Sequence, residues 1–278
     1  MNEGTAPTAA TKSTATTPAT TTPQFARPGL NNVVPYLLVH DAVRFIEFLK
    51  SAFEGAELLR VPRPDGSIMH AEMSIGDSLV ELAEANDQYP ARTMFIHLYV
   101  ADADATFARA LRAGATSVQH VADMPWGDRQ GTATDPFGNT WYIAMPKGWT
   151  PGPEGMRSIQ PFLHLRDAQN MIPFAESAFN AEALGVALSP EGQVLHATIR
   201  LGNATFEIDE ASGQSVPSPA YLHIYVPDSD ACYSRALSSG ATSVDPPSVK
   251  PYGERSATIK DPFGNTWFIA TYLGESSI

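Results

Sequence analysis

The pattern of hydrophobic and polar positions at the start of the folded part of the chain predicts a strand, a helix and three short strands. Residues 33–39 form an apolar run typical of a buried strand, and Asp41 then precedes a helix with apolar side chains at helical spacing. Three strands are predicted at 56–61, 68–75 and 78–83, because turn residues separate them. This segment is a βαβββ unit.

The same order of elements follows directly along the chain. A strand is predicted at 94–100 and a helix from about Asp104, with further strands near Ser117, Thr132 and Thr140. Two βαβββ units therefore stand side by side in this part of the sequence.

The sequence contains two copies of this whole pattern. Residues 34–145 recur at 160–271 without a gap, at a constant offset of 126 positions. The heptapeptide DPFGNTW at 135–141 returns unchanged at 261–267. The chain is therefore a tandem duplication, and either two related sites or one divided site must be expected.

The duplication divides the chain into four parts. The first residues are mainly Thr, Ala and Pro, so they bury too little apolar surface to offset ordering entropy and are predicted to be disordered. The predicted parts are a disordered tail, a first domain, a linker and a second domain, at 1–28, 29–146, 147–157 and 158–278. We expect a pseudo-dimer within one chain that is monomeric in solution.

Composition narrows the class of partner. At 278 residues the chain is long enough for two domains with their own cores. A formal charge of −12 argues against nucleic acid and anionic membranes, which require clustered Lys and Arg. Cys232 is the single cysteine, and no signal peptide or apolar membrane span is apparent. We expect a cytoplasmic protein with a small-molecule ligand.

Four features occur together in this chain: the paired βαβββ units, the DPFGNTW hairpin, WGDR at 126–129, and the Asp-Gly turn followed by His70 and Glu72. In combination they resemble the vicinal oxygen chelate (VOC) superfamily, the glyoxalase and bleomycin-resistance fold, and its PhnB-like branch in particular. The resemblance implies an α+β fold of tandem glyoxalase-like domains. Each domain would use two βαβββ modules to form a curved mixed sheet around a cavity, which often holds a divalent metal.

Enzymes of this superfamily usually take four metal ligands, one from the first and one from the last strand of each module. By resemblance, these positions fall at Val34, Glu81, Phe95 and Tyr142 in the first repeat, and at Gln160, Glu207, Tyr221 and Phe268 in the second. Only Gln160 and the two glutamates can bind a metal. The usual four-ligand site is therefore not expected.

A displaced metal site is an alternative. Strand periodicity places His97 on the same side as Phe95. Two histidines and a glutamate suit Zn, Fe(II) or Mn, and the chain offers two such sets, namely His70, Glu81 and His97, and His196, Glu207 and His223. The other interpretation is that these side chains are hydrogen-bonded to neighbours in the core or cavity wall.

Three glutamates are candidate catalytic groups. Glu81 and Glu207 occupy equivalent positions, and Glu72 follows His70 by two residues on the same strand face. The counterpart of Glu72 is Thr198, so a catalytic Glu72 would make the two cavities different. His164 has no histidine counterpart and is expected on the surface or in a loop.

Aromatic and arginine side chains are candidate ligand contacts, because guanidinium groups bind carboxylates and stack on rings. Pairing of each arginine with a neighbouring acid is the alternative. The candidates are Phe95, Tyr99, Trp126, Arg129, Trp141, Tyr142, Tyr221, Tyr252, Arg255 and Trp267.

Two hypotheses of function follow. The first is a metal-free protein that binds a planar small molecule between aromatic walls. The second is a metal-dependent lyase, isomerase or dioxygenase in which a displaced His/Glu site binds the metal and Glu81 or Glu72 moves a proton. In either case one repeat could serve mainly as a scaffold.

Overall fold

The computed structural model describes residues 25–27, 31–146, 157–212 and 216–274. Residues 1–24 of the predicted tail and 147–156 of the predicted linker lie outside these ranges. Across the described ranges, we find no helix with the length and apolar character that a membrane crossing requires.

The first repeat contains two βαβββ modules in the predicted order. Module 1 consists of β1 (Val33–Val39), α1 (Ala42–Phe53), β2 (Ala56–Pro62), β3 (Ile68–Ile75) and β4 (Ser78–Glu84). Module 2 consists of β5 (Phe95–Tyr99), α2 (Ala103–Arg112), β6 (Thr116–Asp123), β7 (Arg129–Thr134) and β8 (Thr140–Met145). Helix α2 starts one residue before the predicted Asp104, because the Asp102 carboxylate caps it by accepting from the Ala105 N–H.

The second repeat follows the same plan. Module 3 consists of β9 (Ile159–Leu165), α3 (Ala168–Phe179), β10 (Glu182–Leu188), β11 (Val194–Leu201) and β12 (Ala204–Glu210). Module 4 consists of β13 (Tyr221–Tyr225), α4 (Ser229–Ser238), β14 (Thr242–Lys250), β15 (Glu254–Lys260) and β16 (Thr266–Tyr272).

The four modules build two mixed eight-stranded sheets, and each sheet joins one module from each repeat. Sheet I has the order β14-β15-β16-β13-β1-β4-β3-β2 and combines modules 1 and 4. Sheet II has the order β10-β11-β12-β9-β5-β8-β7-β6 and combines modules 2 and 3. The seams are antiparallel pairs, β1 with β13 and β5 with β9. The βαβββ modules pair into mixed sheets as predicted, but each sheet takes its two modules from different repeats and not, as expected, from one repeat.

The helices pack within each repeat. Helix α1 lies against α2, and α3 lies against α4. Below them, Trp141 packs on Phe53 with ring centroids 4.5 Å apart, and Trp267 packs on Phe179 at 4.7 Å. Each repeat therefore shares a helix-side core, while its two modules contribute to different sheets.

The repeated heptapeptide is a structural hairpin. The buried Asp135 carboxylate accepts hydrogen bonds from the Asn139 side chain and the Trp141 indole, each at 2.9 Å. Asn139 Oδ1 in turn accepts from the Met94 N–H at the start of β5. Asp261 makes the same contacts in the second repeat. The motif ties a turn to two strands and has a packing role, as expected for a run whose buried polar groups are all paired.

We predict that residues 29–146 expressed alone form a homodimer. In the full chain, β1 and β5 both pair with strands of the other repeat, so a single repeat would expose two strand edges. Two copies can pair β1 with β5 reciprocally, because β13 and β9 are the counterparts of β5 and β1. Light scattering coupled to size exclusion should give twice the mass of one repeat. A folded monomer would contradict this seam.

Candidate functional site

Each sheet carries a cluster of ionisable side chains on the face opposite its helices. Side chains alternate between the two faces of a strand, so residues at even spacing share a face. Site I, on sheet I, contains Arg27, His70, Glu72, Glu81, His223 and Glu254. Site II, on sheet II, contains His97, Asp128, His164, His196 and Glu207, together with the amide side chains of Gln130 and Gln160.

Glu81 on β4 and His223 on β13 form the centre of site I. Nδ1 of His223 lies 2.8 Å from Oε2 and 3.0 Å from Oε1 of Glu81. Burial opposes the charged form of both groups, but their mutual attraction outweighs it. The pKa of Glu81 is therefore lowered and the pKa of His223 is raised. The pair crosses the seam and is stabilised in its ionised form.

Arg27 holds the two other carboxylates of site I. Its Nη1 lies 2.6 Å from Glu72 Oε1, and its Nε lies 3.0 Å from Glu254 Oε1. Nε2 of His70 is 3.3 Å from the same oxygen of Glu72. Residues 25–27, which the sequence assigned to the tail, thus pack onto sheet I.

His97 on β5 and Glu207 on β12 form the equivalent pair in site II. Nδ1 of His97 lies 2.9 Å from Glu207 Oε2, and Nε2 of His196 lies 3.6 Å from that oxygen. The Tyr99 hydroxyl donates to the other oxygen at 3.4 Å. Burial opposes ionisation of Glu207, but the two histidines lower its pKa to about 2. Attraction to the nearby Glu207 carboxylate raises the pKa of His196.

In the structure, the two predicted metal sets exchange one histidine. His70 and Glu81 meet His223 rather than His97. His196 and Glu207 meet His97. The physical reason is the sheet order, since β5 adjoins the first module of the second repeat and β13 adjoins that of the first.

Site II also presents buried polar atoms without hydrogen-bond partners. Gln160 on β9 lies directly across the seam from His97. Its Oε1 accepts from Thr205 Oγ1 at 2.8 Å. Within the described residues, Gln160 Nε2, His97 Nε2 and Gln130 Oε1 have no protein partner. Such atoms are costly in a protein interior, so they indicate a place for a polar ligand or water.

Aromatic rings surround both sites. In site II, Phe95 stacks on Tyr142 with centroids 6.4 Å apart, and Tyr142 packs against Phe162 at 5.6 Å. In site I, Phe268 packs against Tyr221 at 6.4 Å and Tyr36 at 5.2 Å. Four predicted ligand contacts, Phe95, Tyr99, Tyr142 and Tyr221, therefore lie on these faces.

His164 is part of site II, contrary to its expected surface or loop position. It is 2% exposed, its Nδ1 lies 2.5 Å from Asp209 Oδ1, and its Nε2 lies 3.2 Å from the Tyr142 hydroxyl. It shares the face of Gln160 and Phe162 because the three alternate along β9.

Arg129 and Arg255 do not reach either site. Arg129 pairs with Asp104 of α2 and with Asp123, and Arg255 pairs with Asp230 of α4. Successive residues of a strand point to opposite faces of the sheet. Each arginine is one position along its strand from a residue that points to the site, so both arginines point to the helix side. The alternative of pairing with an acid is the observed one.

The predicted aromatic contacts at four other positions also separate into two groups. Trp141 and Trp267 have no exposed surface, and their indoles donate to Asp135 and Asp261, so they are core residues. Trp126 and Tyr252 are 64% and 51% exposed, in the loops before β7 and β15. Of these four, only the loop residues are accessible to a ligand.

Sequence comparison is consistent with this geometry. The sequence model of the Glyoxalase/Bleomycin resistance protein/Dioxygenase superfamily matches residues 29–143. An uncharacterized protein of Mycobacterium bovis, Mb0911c, is 42% identical over 126 residues, which cover 40% of this chain and 81% of the relative. The protein Rv0887c of Mycobacterium tuberculosis has the same identity, with 72% of its length covered. The chain belongs to this superfamily.

A solved structure supports the fold of this superfamily member. Glyoxalase I from Zea mays matches with a TM-score of 0.67 and 16% sequence identity, over 86% of this chain and 92% of the maize chain. At this identity the likeness shows the fold alone. The predicted tandem glyoxalase-like fold is confirmed.

The residues present do not fit the usual four-ligand metal site of the superfamily. Sheet I brings Val34, Glu81, Tyr221 and Phe268 to the expected ligand positions, and sheet II brings Gln160, Glu207, Phe95 and Tyr142. Aromatic or aliphatic side chains hold five of these eight positions, and they offer no metal ligand of the usual kind.

A cluster of possible metal ligands in site I, which shares His70 and Glu81 with the predicted displaced set, is already engaged in ion pairs. Donor atoms of His70, Glu72 and Glu81 lie within 4.8 Å of one another, and these residue types can bind a divalent metal. However, Glu72 Oε1 accepts from Arg27, and both oxygens of Glu81 face His223. A metal in this position would compete with two existing ion pairs.

Sequence reasoning missed several site residues. Glu254 could have been found, because strand alternation places it on the opposite face from Arg255. Gln130 could have been found by the same rule of strand alternation. Gly131 faces Phe107 of α2, so Gln130, the residue before it, points to the opposite face of the sheet. No feature of the sequence indicated that Arg27 belongs to a site, because it precedes the first strand and contacts residues that are distant in sequence.

We predict that Glu207→Gln removes part of the acid sensitivity of folding. The folded pKa of about 2 is below the ordinary 4.5, so Glu207 contributes stability above pH 4.5 that is lost as pH falls towards about 2. Urea unfolding across that window should show a shallower pH dependence in the variant, with lower stability at neutral pH. Glu191→Gln, at an exposed turn, is the control. An unchanged slope in Glu207→Gln would contradict the assignment.

Proposed function

We propose that this protein binds an uncharged, planar small molecule at site II, without the usual four-ligand metal of the superfamily. The observation that carries the proposal is a set of buried polar atoms that have no hydrogen-bond partner in the part of the chain that the structure describes, Gln160 Nε2, His97 Nε2 and Gln130 Oε1.

The hydrogen-bonding character of this set can be read from its partners. Because the Gln160 oxygen accepts from Thr205, its amide nitrogen is left as a donor. Because a carboxylate only accepts, His97 Nδ1 carries a hydrogen towards Glu207, and an imidazole whose single hydrogen is on Nδ1 offers Nε2 as an acceptor. His97 and Gln160 are neighbours across the seam. A ring with adjacent C=O and N–H groups, as in a cyclic amide, complements this pair.

The surroundings favour a flat ligand without charge. Phe95, Tyr142 and Phe162 supply aromatic surface on the same face. The Glu207 carboxylate already lies beside two histidines, His97 and His196, and Thr198 stands where site I has Glu72. Burial and the nearby Glu207 raise the pKa of Asp128, which disfavours a second negative charge. A charged ligand would find no free counter-charge among these groups.

We predict that isoquinolin-1-one, a planar cyclic amide, binds the wild type and that isoquinoline, which lacks the amide, binds more weakly. The matched variant is Gln160→Val/Thr205→Leu, because Val34 and Leu79 hold these two positions in site I. Loss of the amide contact should weaken binding roughly tenfold, as expected for one or two hydrogen bonds. Isothermal titration measures both ligands. Equal affinities for both ligands, or an unaffected variant, would contradict the proposal.

The metal-dependent alternative is tested separately. The proximity of His70, Glu72 and Glu81 favours it, whereas their existing ion pairs oppose it. We expect wild-type protein purified without chelator to contain well under one metal ion per chain by inductively coupled plasma mass spectrometry. Stoichiometric metal that is lost in His223→Ala or His97→Ala would support the alternative instead.

A further inference from the structure

Site I differs from site II in the acidity of its buried face. Glu72 stands where site II has Thr198, Glu254 stands where it has Asp128, and Glu81 has a glutamate counterpart. These three carboxylates are at most 8% exposed. Buried carboxylates of this kind require cationic partners.

The cations of site I come from two sources. His223, on a strand of the sheet, pairs with Glu81. Arg27 pairs with both Glu72 and Glu254, and it lies outside the sheet. The strands of sheet I therefore present three carboxylates on one face, and Arg27, in a segment ahead of β1, supplies a cation for two of them.

The Arg27 side chain reaches the face of sheet I from outside the sheet, as a bound ligand would. Its segment is held at the sheet by the Tyr272 N–H, which donates to the Phe25 carbonyl, and by the buried Ala26. The guanidinium then reaches two carboxylates on different modules, Glu72 on β3 and Glu254 on β15. A planar cation with several N–H donors is the chemistry that this arrangement recognises.

The face still has unused binding capacity with Arg27 in place. Glu254 Oε2 and His223 Nε2 are buried, lie 3.7 Å apart, and have no hydrogen-bond partner within the described residues. Tyr36 and Phe268 pack together beside them, and His223 stacks on Tyr225 at 4.6 Å. Aromatic surface next to paired carboxylates suits a flat cation.

We propose that site I is a second binding site, selective for planar amidinium or guanidinium compounds, and that Arg27 occupies it in the free protein. A ligand of this class replaces the Arg27 side chain on Glu72 and Glu254 and also reaches Glu254 Oε2. This proposal does not depend on ligand binding at site II.

The test uses benzamidine as the cation and benzamide as its neutral counterpart, with wild-type protein, Arg27→Ala and Arg27→Ala/Glu72→Thr. The last substitution copies Thr198 of the other repeat, so the fold tolerates threonine at the equivalent place. Isothermal titration should show benzamidine binding to Arg27→Ala at least roughly tenfold more tightly than to wild type, the magnitude of one charge-assisted hydrogen bond. Binding should fall again in the double variant, and benzamide should bind none of the three.

A second measurement guards against poor folding of Arg27→Ala. Benzamidine should raise the melting temperature of this variant and leave that of wild type nearly unchanged, because the added cation restores partners to Glu72 and Glu254. Arg27→Lys, which keeps the charge without the planar fork, should bind benzamidine less well than Arg27→Ala. The proposal is overturned if folded Arg27→Ala binds benzamidine no better than wild type, or if it binds Mn²⁺ but not benzamidine.

Discussion

The antiparallel seams between the two repeats are the constraint on which the rest of the structure depends. Pairing of β1 with β13 and of β5 with β9 turns four short modules into two eight-stranded sheets. The same pairing places His223 against Glu81 and His97 against Glu207. Because Glu81 and Glu207 each have an imidazole partner on the other repeat, neither site is complete within one repeat.

This coupling has an energetic consequence. A buried carboxylate without its partner is strongly destabilising, so the ion pairs at the seam favour the observed pairing of modules over alternatives that would separate them. The helices add a second connection, since α1 packs on α2 and α3 on α4 within each repeat. Every module is thus bound to one neighbour through its helix and to another through its strand edge.

Duplication within one chain allows the two sites to differ. A homodimer would impose identical residues on both sites. Here Gln160 and Thr198 of site II correspond to Val34 and Glu72 of site I. Both sites share a central Glu–His pair, which links the two repeats across the seam. The divergent residues surround it, where they set the charge and the hydrogen bonds offered to a ligand.

The sequence by itself determined the modules, the duplication and the face of His97, because hydrophobic periodicity and turn residues are local properties of the chain. Its motifs indicated the superfamily by resemblance. It did not determine which modules pair, because β1 and its counterpart β9 carry similar patterns and either could complete a sheet. It left open whether Arg129 contacts a ligand or pairs with an acid, since a shift of one residue along a strand changes the face. Only the tertiary structure decided that Arg27 meets Glu72 and that His97 meets Glu207, because these contacts join segments far apart in sequence.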